Sequence, residues 1–323
     1  MDAHPTIEDV RAAARRIEHH VHRTPIARCR TIDDRSGVEV HLKCENLQKV
    51  GAFKARGAMN AVLQLDDSNA ANGVVTHSSG NHAQALAWAA SIRGIPANIV
   101  MPVNAPAVKR RAVEGYGAIV HDCEPTLESR LATCERVAAD TGGSIVPPYD
   151  DDRIIAGQGT LALELLGQVP DLEAVIVPVG GGGLVSGIAT VVKAIAPEIR
   201  VIGAEPALAD DAFRSKAAGS IQPHVGDPTR TIADGLRTTL GERTFPIVRD
   251  LVDEIVRVEE ADIRSALRLV LERSKLVIEP SAALGVAVAV DRSFRDRGLR
   301  RVGVVLCGGN LDLAAVPDLI GPT

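Results

Sequence analysis

A lysine amine becomes a nucleophile near neutral pH only if its pKa falls from about 10.4 by about 3 pH units, a cost of roughly 4 kcal/mol to the charged form. Lys54 has surroundings suited to that. It lies in Gly51-Ala52-Phe53-Lys54-Ala55-Arg56-Gly57-Ala58, at the start of a helix predicted over residues 54–65, with small or apolar neighbours. Burial disfavours the ammonium, and the partial positive charge of a helix N-terminus pushes the same way. The segment by itself also reads as a solvated lysine on an amphipathic helix.

Three loops of small residues follow strand-like runs: Thr76-His77-Ser78-Ser79-Gly80-Asn81-His82, Val179-Gly180-Gly181-Gly182-Gly183 and Cys307-Gly308-Gly309-Asn310. In open parallel sheets ligands gather at the carboxyl ends of strands, where helix N-termini present free N–H groups. Four consecutive glycines let backbone amides close round a phosphate, since no Cβ blocks the approach; tight packing of strand on helix is the other reading of such a run. Ser78, Ser79, Gly80, Asn81 and His82 offer hydroxyl and amide donors that suit a carboxylate. A nicotinamide or flavin GxGxxG site is disfavoured, because Ser186 takes the sixth place counted from Gly181. No Gly-Lys-Ser/Thr follows, so a P-loop fails too.

Strand and helix patterns alternate along nearly the whole chain, which predicts an α/β protein with largely parallel sheets. Thr6 and Asp9 read as a capping pair ahead of a helical stripe of Val10, Ala14, Ile17 and Val21. Val38 to Cys44 reads as a strand, and the polar Asp66 to Gly73 as turns at a domain boundary. Pro147-Pro148 and Asp150-Asp151-Asp152 mark a second crossing point. Further strands are expected at 175–177, 201–203 and 302–306, and a helix stripe at Ile263, Leu267, Val270 and Leu271. Between about Phe213 and Ile255 the periodicity is weak and predicts no definite element.

These motifs in their order, with Lys43-Cys44-Glu45-Asn46-Leu47-Gln48, Ala156-Gly157-Gln158-Gly159-Thr160, Gly203-Ala204-Glu205-Pro206 and Ile278-Glu279-Pro280, resemble the fold-type II pyridoxal phosphate enzymes. Within them the chain is similar to the serine/threonine dehydratase and serine racemase group, which includes 3-hydroxyaspartate ammonia-lyases. The resemblance implies a tryptophan synthase beta-like fold with open, mostly parallel sheets flanked by helices. It implies a large domain of residues 1–69 and 148–323 and a small mobile domain of residues 70–147, with pyridoxal 5′-phosphate in the cleft between them. Lys54 is then the Schiff-base lysine, Gly180 to Gly183 the phosphate cradle, Asn81 the partner of the ring hydroxyl and Phe53 a neighbour of the ring. Cys307 falls where the family often has Ser, beside the pyridine nitrogen. A neutral partner there makes the ring a weaker electron sink and favours prompt expulsion of a β-substituent; a small core residue at a strand end is the alternative.

The implied reaction is loss of water from serine, threonine or 3-hydroxyaspartate, giving a 2-oxo acid and ammonia, with Lys54 as general base. A racemase is the nearest alternative, in which Ser79 would serve the opposite face of the α-carbon; Ser79 otherwise only helps hold the carboxylate. Arg130 falls in a segment that in related enzymes reaches the distal end of the substrate. It reads either as a clamp for a second carboxylate or as a solvated helix arginine. Glu205, the carbonyl of Ala209 and Asp211 match a divalent-cation site of serine-racemase-like members, suited to Mg²⁺ or Ca²⁺; alternatively Asp210-Asp211 caps the next helix.

Composition narrows the field. The 323 residues carry 36 Lys+Arg against 41 Asp+Glu, a net charge of −5, which argues against nucleic acid as a partner. No run of 18 apolar residues predicts a membrane span, and the N-terminus lacks a signal pattern, so a cytoplasmic protein is expected, as is the homodimer common in the family. A non-catalytic α/β module keeping only an anion site remains a second class of reading. Cys29, Cys44, Cys123, Cys134 and Cys307 lack metal or disulfide spacing and are expected as reduced, mostly core thiols. His4, His19, His20, His22, His41, His121 and His224 are expected on the surface or in loops.

Overall fold

A computed structural model describes residues 4–321. Its strands are β1 (Ile26–Ala27), β2 (Glu39–Cys44), β3 (Val74–His77), β4 (Ala97–Pro102), β5 (Ile119–Cys123), β6 (Ser144–Ile145), β7 (Ala174–Pro178), β8 (Arg200–Pro206), β9 (Glu254–Val258) and β10 (Arg301–Leu306). They form a six-stranded sheet in the order β1-β2-β10-β7-β8-β9 and a four-stranded sheet in the order β5-β4-β3-β6. Only β1 pairs antiparallel; every other pairing is parallel. Helices connect the strands, as parallel pairing requires, and the α/β reading from the sequence holds.

The central strands β7 and β10 are apolar along nearly their whole length and buried, as strands covered on both faces must be. The edge strand β5 is exposed or half-buried except at Cys123. The smaller sheet packs on helix Asn81–Arg93, which packs in turn on helix Lys54–Leu63: Ala55, Met59 and Val62 share a core with Leu86, Ile99 and Met101. Helix Lys54–Leu63, whose residues 55–62 are all buried, therefore lies between helix Asn81–Arg93 and helix Asp152–Gln168.

Glycine allows the closest helix crossings. A Cβ on Gly157 would lie 2.6 Å from Gly57 Cα. One on Gly187 would lie 2.6 Å from Gly159 N. Helix Asp152–Gln168 thus touches helix Lys54–Leu63 on one side and helix Gly183–Ile195 on the other, backbone to backbone, which accounts for the Ala-Gly-Gln-Gly-Thr motif.

Some local expectations shift. The Thr6–Asp9 capping box is present. Residues 66–73 are not only turns: Asp66 caps a short helix, Asp67–Ala71. Helices Asp211–Ala218 and Thr244–Leu251 occupy parts of the stretch with weak periodicity. His41 and His121 stand half-buried in β2 and β5, not on the surface or in loops. All five cysteines are free and buried. No helix among the described residues is long and apolar enough to cross a membrane.

Candidate active site

Lys54 opens its helix directly after a loop stitched to the β10 exit. Phe53 N donates to Cys307 O at 3.0 Å, Gly309 N to Gly51 O at 2.9 Å, and Asn310 Nδ2 to Val50 O at 2.7 Å. Val50 and Gly51 both take positive φ, 54° and 69°, so a β-branched residue is held in a left-handed conformation just before the lysine. Such strain persists only where surrounding contacts enforce it. A Cβ on Gly51 would lie 2.6 Å from Asn310 Oδ1, so glycine is required there.

The Lys54 amine donates to Pro148 O at 2.5 Å and lies 5.1 Å from the centre of the Phe53 ring. Burial pushes its pKa down to about 8, against the pull of Cys307 and Glu279. Around it the structure brings together Asn81, Glu279, Cys307 and Asn310. Asn81 Nδ2 donates to both carboxylate oxygens of Glu279, at 2.9 and 3.1 Å, and Asn81 Oδ1 accepts from Asn310 Nδ2 at 2.9 Å. Burial, followed by the charge of Asp234, raises Glu279 to about 7. Burial, then Glu279, carries the Cys307 thiol well above its ordinary value. Glu279 and Asn310 stood in motifs noted above but had no role assigned. The only local signal is a carboxylate between Ile278 and Pro280, just ahead of a helix that is apolar apart from Ser281.

Gly180, Gly181 and Gly182 lie between β7 and helix Gly183–Ile195, and all are buried. Their amides donate to no group among the described residues. A Cβ on Gly180 would lie 3.0 Å from Leu236 Cα, and one on Gly181 2.5 Å from the Tyr149 ring; Gly182 has φ of 89°. Three buried, unspent amides at the start of a 13-residue helix form a cradle that a side chain would fill and that an anion satisfies. The residues present therefore fit a phosphate-bearing group.

Ser78 to His82 leads into helix Asn81–Arg93, which has no side-chain cap. Ser78 Oγ accepts from Gly80 N at 3.2 Å, and Ser79 Oγ makes no hydrogen bond among the described residues. His82 Nε2 lies 3.0 Å from Val146 O, so that nitrogen carries the proton and Nδ1 is left buried without a partner. Burial and the charge of Lys54 push His82 down to about 3, which keeps it neutral. Arg130, in the first turn of helix Leu127–Thr141, is half-buried, pairs with no carboxylate among the described residues, and has its Nε buried without a partner. It lies close enough to His77, next to Ser78, for its charge to add to burial in depressing that histidine.

Glu205 and Asp211 are fully buried. Glu205 accepts from Ala212 N and Phe213 N, both at 2.8 Å, so Glu205 and not the Asp210 side chain satisfies the start of helix Asp211–Ala218. Asp211 Oδ2 accepts from Leu240 N at 2.9 Å, while Oδ1 has no hydrogen-bond partner and lies 3.5 Å from His224 Nδ1. Burial, with Asp211 adding to it, raises Glu205 to about 9, and burial raises Asp211 as well. Among the described residues no group of three or more His, Cys, Asp or Glu side chains converges as a metal site, so any cation here needs backbone carbonyl and water oxygens.

The profile of the family described as "Pyridoxal-phosphate dependent enzyme" matches residues 17–308, and the chain belongs to that family. It is 50% identical over 317 residues to a serine racemase of Arabidopsis thaliana, covering 97% of this chain and 95% of the relative. It is 48% identical over 313 residues to a beta-hydroxyaspartate dehydratase of Paracoccus denitrificans, covering 97% and 98%. The solved structure of maize serine racemase superposes with a TM-score of 0.95 at 45% identity, covering 98% of this chain and 97% of that one. A fold-type II enzyme using pyridoxal phosphate is thereby established, and the relatives include both racemases and a dehydratase.

Proposed function

We propose that the protein removes water from a β-hydroxy amino acid, with 3-hydroxyaspartate the preferred substrate, giving a 2-oxo acid and ammonia. The observation that carries the choice is Arg130: a half-buried guanidinium without a carboxylate partner, beside the loop suited to the substrate's own carboxylate. A half-buried cation with no counter-ion is suited to an anion, and a dicarboxylic substrate brings a second one.

Gly180 to Gly183 would hold the cofactor phosphate, Lys54 the aldehyde, Phe53 and Asn81 the ring, and Cys307 the ring nitrogen. When bound, the cofactor supplies an electron sink for the pair left at the α-carbon. The backbone amides and hydroxyls of Ser78, Ser79, Gly80 and Asn81, at a helix N-terminus, hold the α-carboxylate, while neutral His82 supports that loop through Val146. The Lys54 amine, with its pKa near 8, takes the α-proton close to neutrality and returns a proton to the departing β-hydroxyl, which leaves as water; the released enamine tautomerises to an imine that one water hydrolyses to the 2-oxo acid and ammonia. Residues 70–147 act as a small domain that closes over the site. Links that cross that boundary include Asn81 with Glu279 and with Asn310, and the Lys109 ion pair with Asp234 at 2.7 Å. Glu205, the Ala209 carbonyl and Asp211 form a structural Mg²⁺ or Ca²⁺ site, supported by the unpartnered Asp211 Oδ1.

The uncommitted Ser79 hydroxyl favours a second reading, a racemase in which it exchanges a proton on the opposite face of the α-carbon. Oxo-acid release and α-hydrogen exchange on stereoisomers of serine, threonine and 3-hydroxyaspartate separate the two. The lyase reading expects oxo acid fastest from 3-hydroxyaspartate. Arg130→Gln should raise KM for that substrate roughly 10- to 100-fold, the worth of a charge-assisted carboxylate contact, and leave serine nearly unchanged. Rapid inversion without oxo acid would reverse the assignment.

A further inference from the structure

Four charged side chains lie in a closed cluster beneath the candidate active site. Arg56 donates through Nε and Nη2 to Glu45, both at 2.8 Å, and through Nη1 and Nη2 to Glu164, at 2.7 and 3.0 Å. Lys43 donates to Glu164 at 2.6 Å, to Gln168 at 2.8 Å and to Thr24 O at 2.9 Å, while Thr24 Oγ1 donates to Glu45 at 2.6 Å. Arg56 is 1% exposed, and Lys43 and Glu45 are fully buried. The charges sum to zero. The four residues come from β2, the turn after it, helix Lys54–Leu63 and helix Asp152–Gln168.

Stability alone is a poor reason for such a cluster, since a buried ion pair rarely outperforms apolar packing of the same volume. Its place in the fold suggests another. Arg56 follows Lys54 by two residues, so the two side chains leave the helix about 200° apart. A guanidinium forked onto carboxylates from two other elements fixes the rotation of that helix about its axis. The first turn needs such a hold, because the helix has no side-chain cap and one of its free amides, Gly57 N, is satisfied from outside by Gln158 at 3.2 Å.

We infer that Arg56, through its double fork onto Glu45 and Glu164, is a positioning residue that sets the direction in which Lys54 reaches into the cleft. The inference rests on the reading of Lys54 as the cofactor lysine. It gives the buried Lys43 and Glu45 a part in catalysis through Arg56.

The test uses two variants of the cofactor-loaded enzyme that keep the cluster neutral. Arg56→Met with Glu45→Gln removes one pair and leaves Lys43 on Glu164. Arg56→Lys keeps the charge but cannot fork to both carboxylates. Both should lower kcat roughly tenfold to hundredfold, the effect of a displacement of about 1 Å at the reacting group, with KM nearly unchanged. In cofactor-stripped protein, the rate at which an amine reagent labels Lys54 should change relative to Lys49 and Lys109 in the same sample. A folded variant with wild-type kcat and wild-type Lys54 labelling would overturn the inference. So would a kcat loss without a labelling change, or failure of both variants to fold, which would assign the cluster to stability. Borohydride fixing of cofactor in the wild-type protein checks the underlying reading separately: cofactor on another lysine removes the Lys54 assignment itself.

Discussion

Replacing Lys54 with methionine should stabilise the cofactor-free protein, although it destroys activity. Burial holds the Lys54 amine at about 8, against an ordinary 10.5. Below pH 8 the folded chain therefore carries an ammonium it solvates poorly, while the unfolded chain carries the same charge at no penalty. Between pH 8 and 10.5 the unfolded state binds more protons than the folded one, so stability rises with pH across that window. The 2.5-unit depression corresponds to roughly 3 kcal/mol of penalty at pH 7. The lysine's partial exposure and its lost bond to Pro148 O reduce the net gain to about 1–2 kcal/mol. Urea unfolding of cofactor-free wild type and Lys54→Met from pH 6 to 10.5 measures it. The variant should be the more stable at pH 7, with the gap closing as pH climbs past 8. A variant less stable than wild type at pH 7, or a gap that does not change with pH, would refute the burial of an uncompensated amine.

Glu279→Gln tests the opposite sign: its carboxyl is raised from 4.5 to about 7, so the wild type should lose stability as pH rises from about 4.5 to 7, and the variant should lack that slope in urea melts at pH 5 and 8. A retained slope would remove Glu279 as its source. Gly182→Ala places a Cβ 2.8 Å from Leu240 Cδ2 and Thr244 Cβ at a φ of 89°. Strain of about 1–3 kcal/mol should appear either as a lowered unfolding midpoint or, if the loop shifts, as roughly 5- to 100-fold weaker pyridoxal phosphate binding by fluorescence titration; wild-type values for both count against the cradle. Asp211→Asn should abolish any rise in melting temperature that Mg²⁺ or Ca²⁺ gives the wild type, and an equal rise in the variant would place the cation elsewhere.

What the sequence could show follows from how far apart the interacting residues lie. The central strands were legible because strands covered on both faces are apolar throughout. The glycine run was legible because the residues that form the cradle are adjacent in the chain. Glu279 was not, because its partners Asn81 and Asn310 meet it only through the fold: Asn81 lies 198 residues from Glu279 and 229 from Asn310. Nor were the helices between 213 and 255 legible, since each has only eight residues and the chain between them is held largely by side-chain bonds to backbone, such as Asp227 to Thr229 N and Ser215 to Gln222 N.

Helix Lys54–Leu63 shows the limit most clearly. Amphipathic reading assumes that a charged residue marks the solvent side, and Arg56 would turn the predicted face accordingly. In the structure every residue from 55 to 62 is buried, because the helix is packed between helix Asn81–Arg93 and helix Asp152–Gln168. A helix without a solvent face has no period to detect. What remains in its sequence are the exceptions that such a place demands: a glycine where another backbone touches it, and an arginine whose charge is met by carboxylates 11 and 108 residues away. Both were visible as residues, and neither could be interpreted until Gly157, Glu45 and Glu164 were brought beside them.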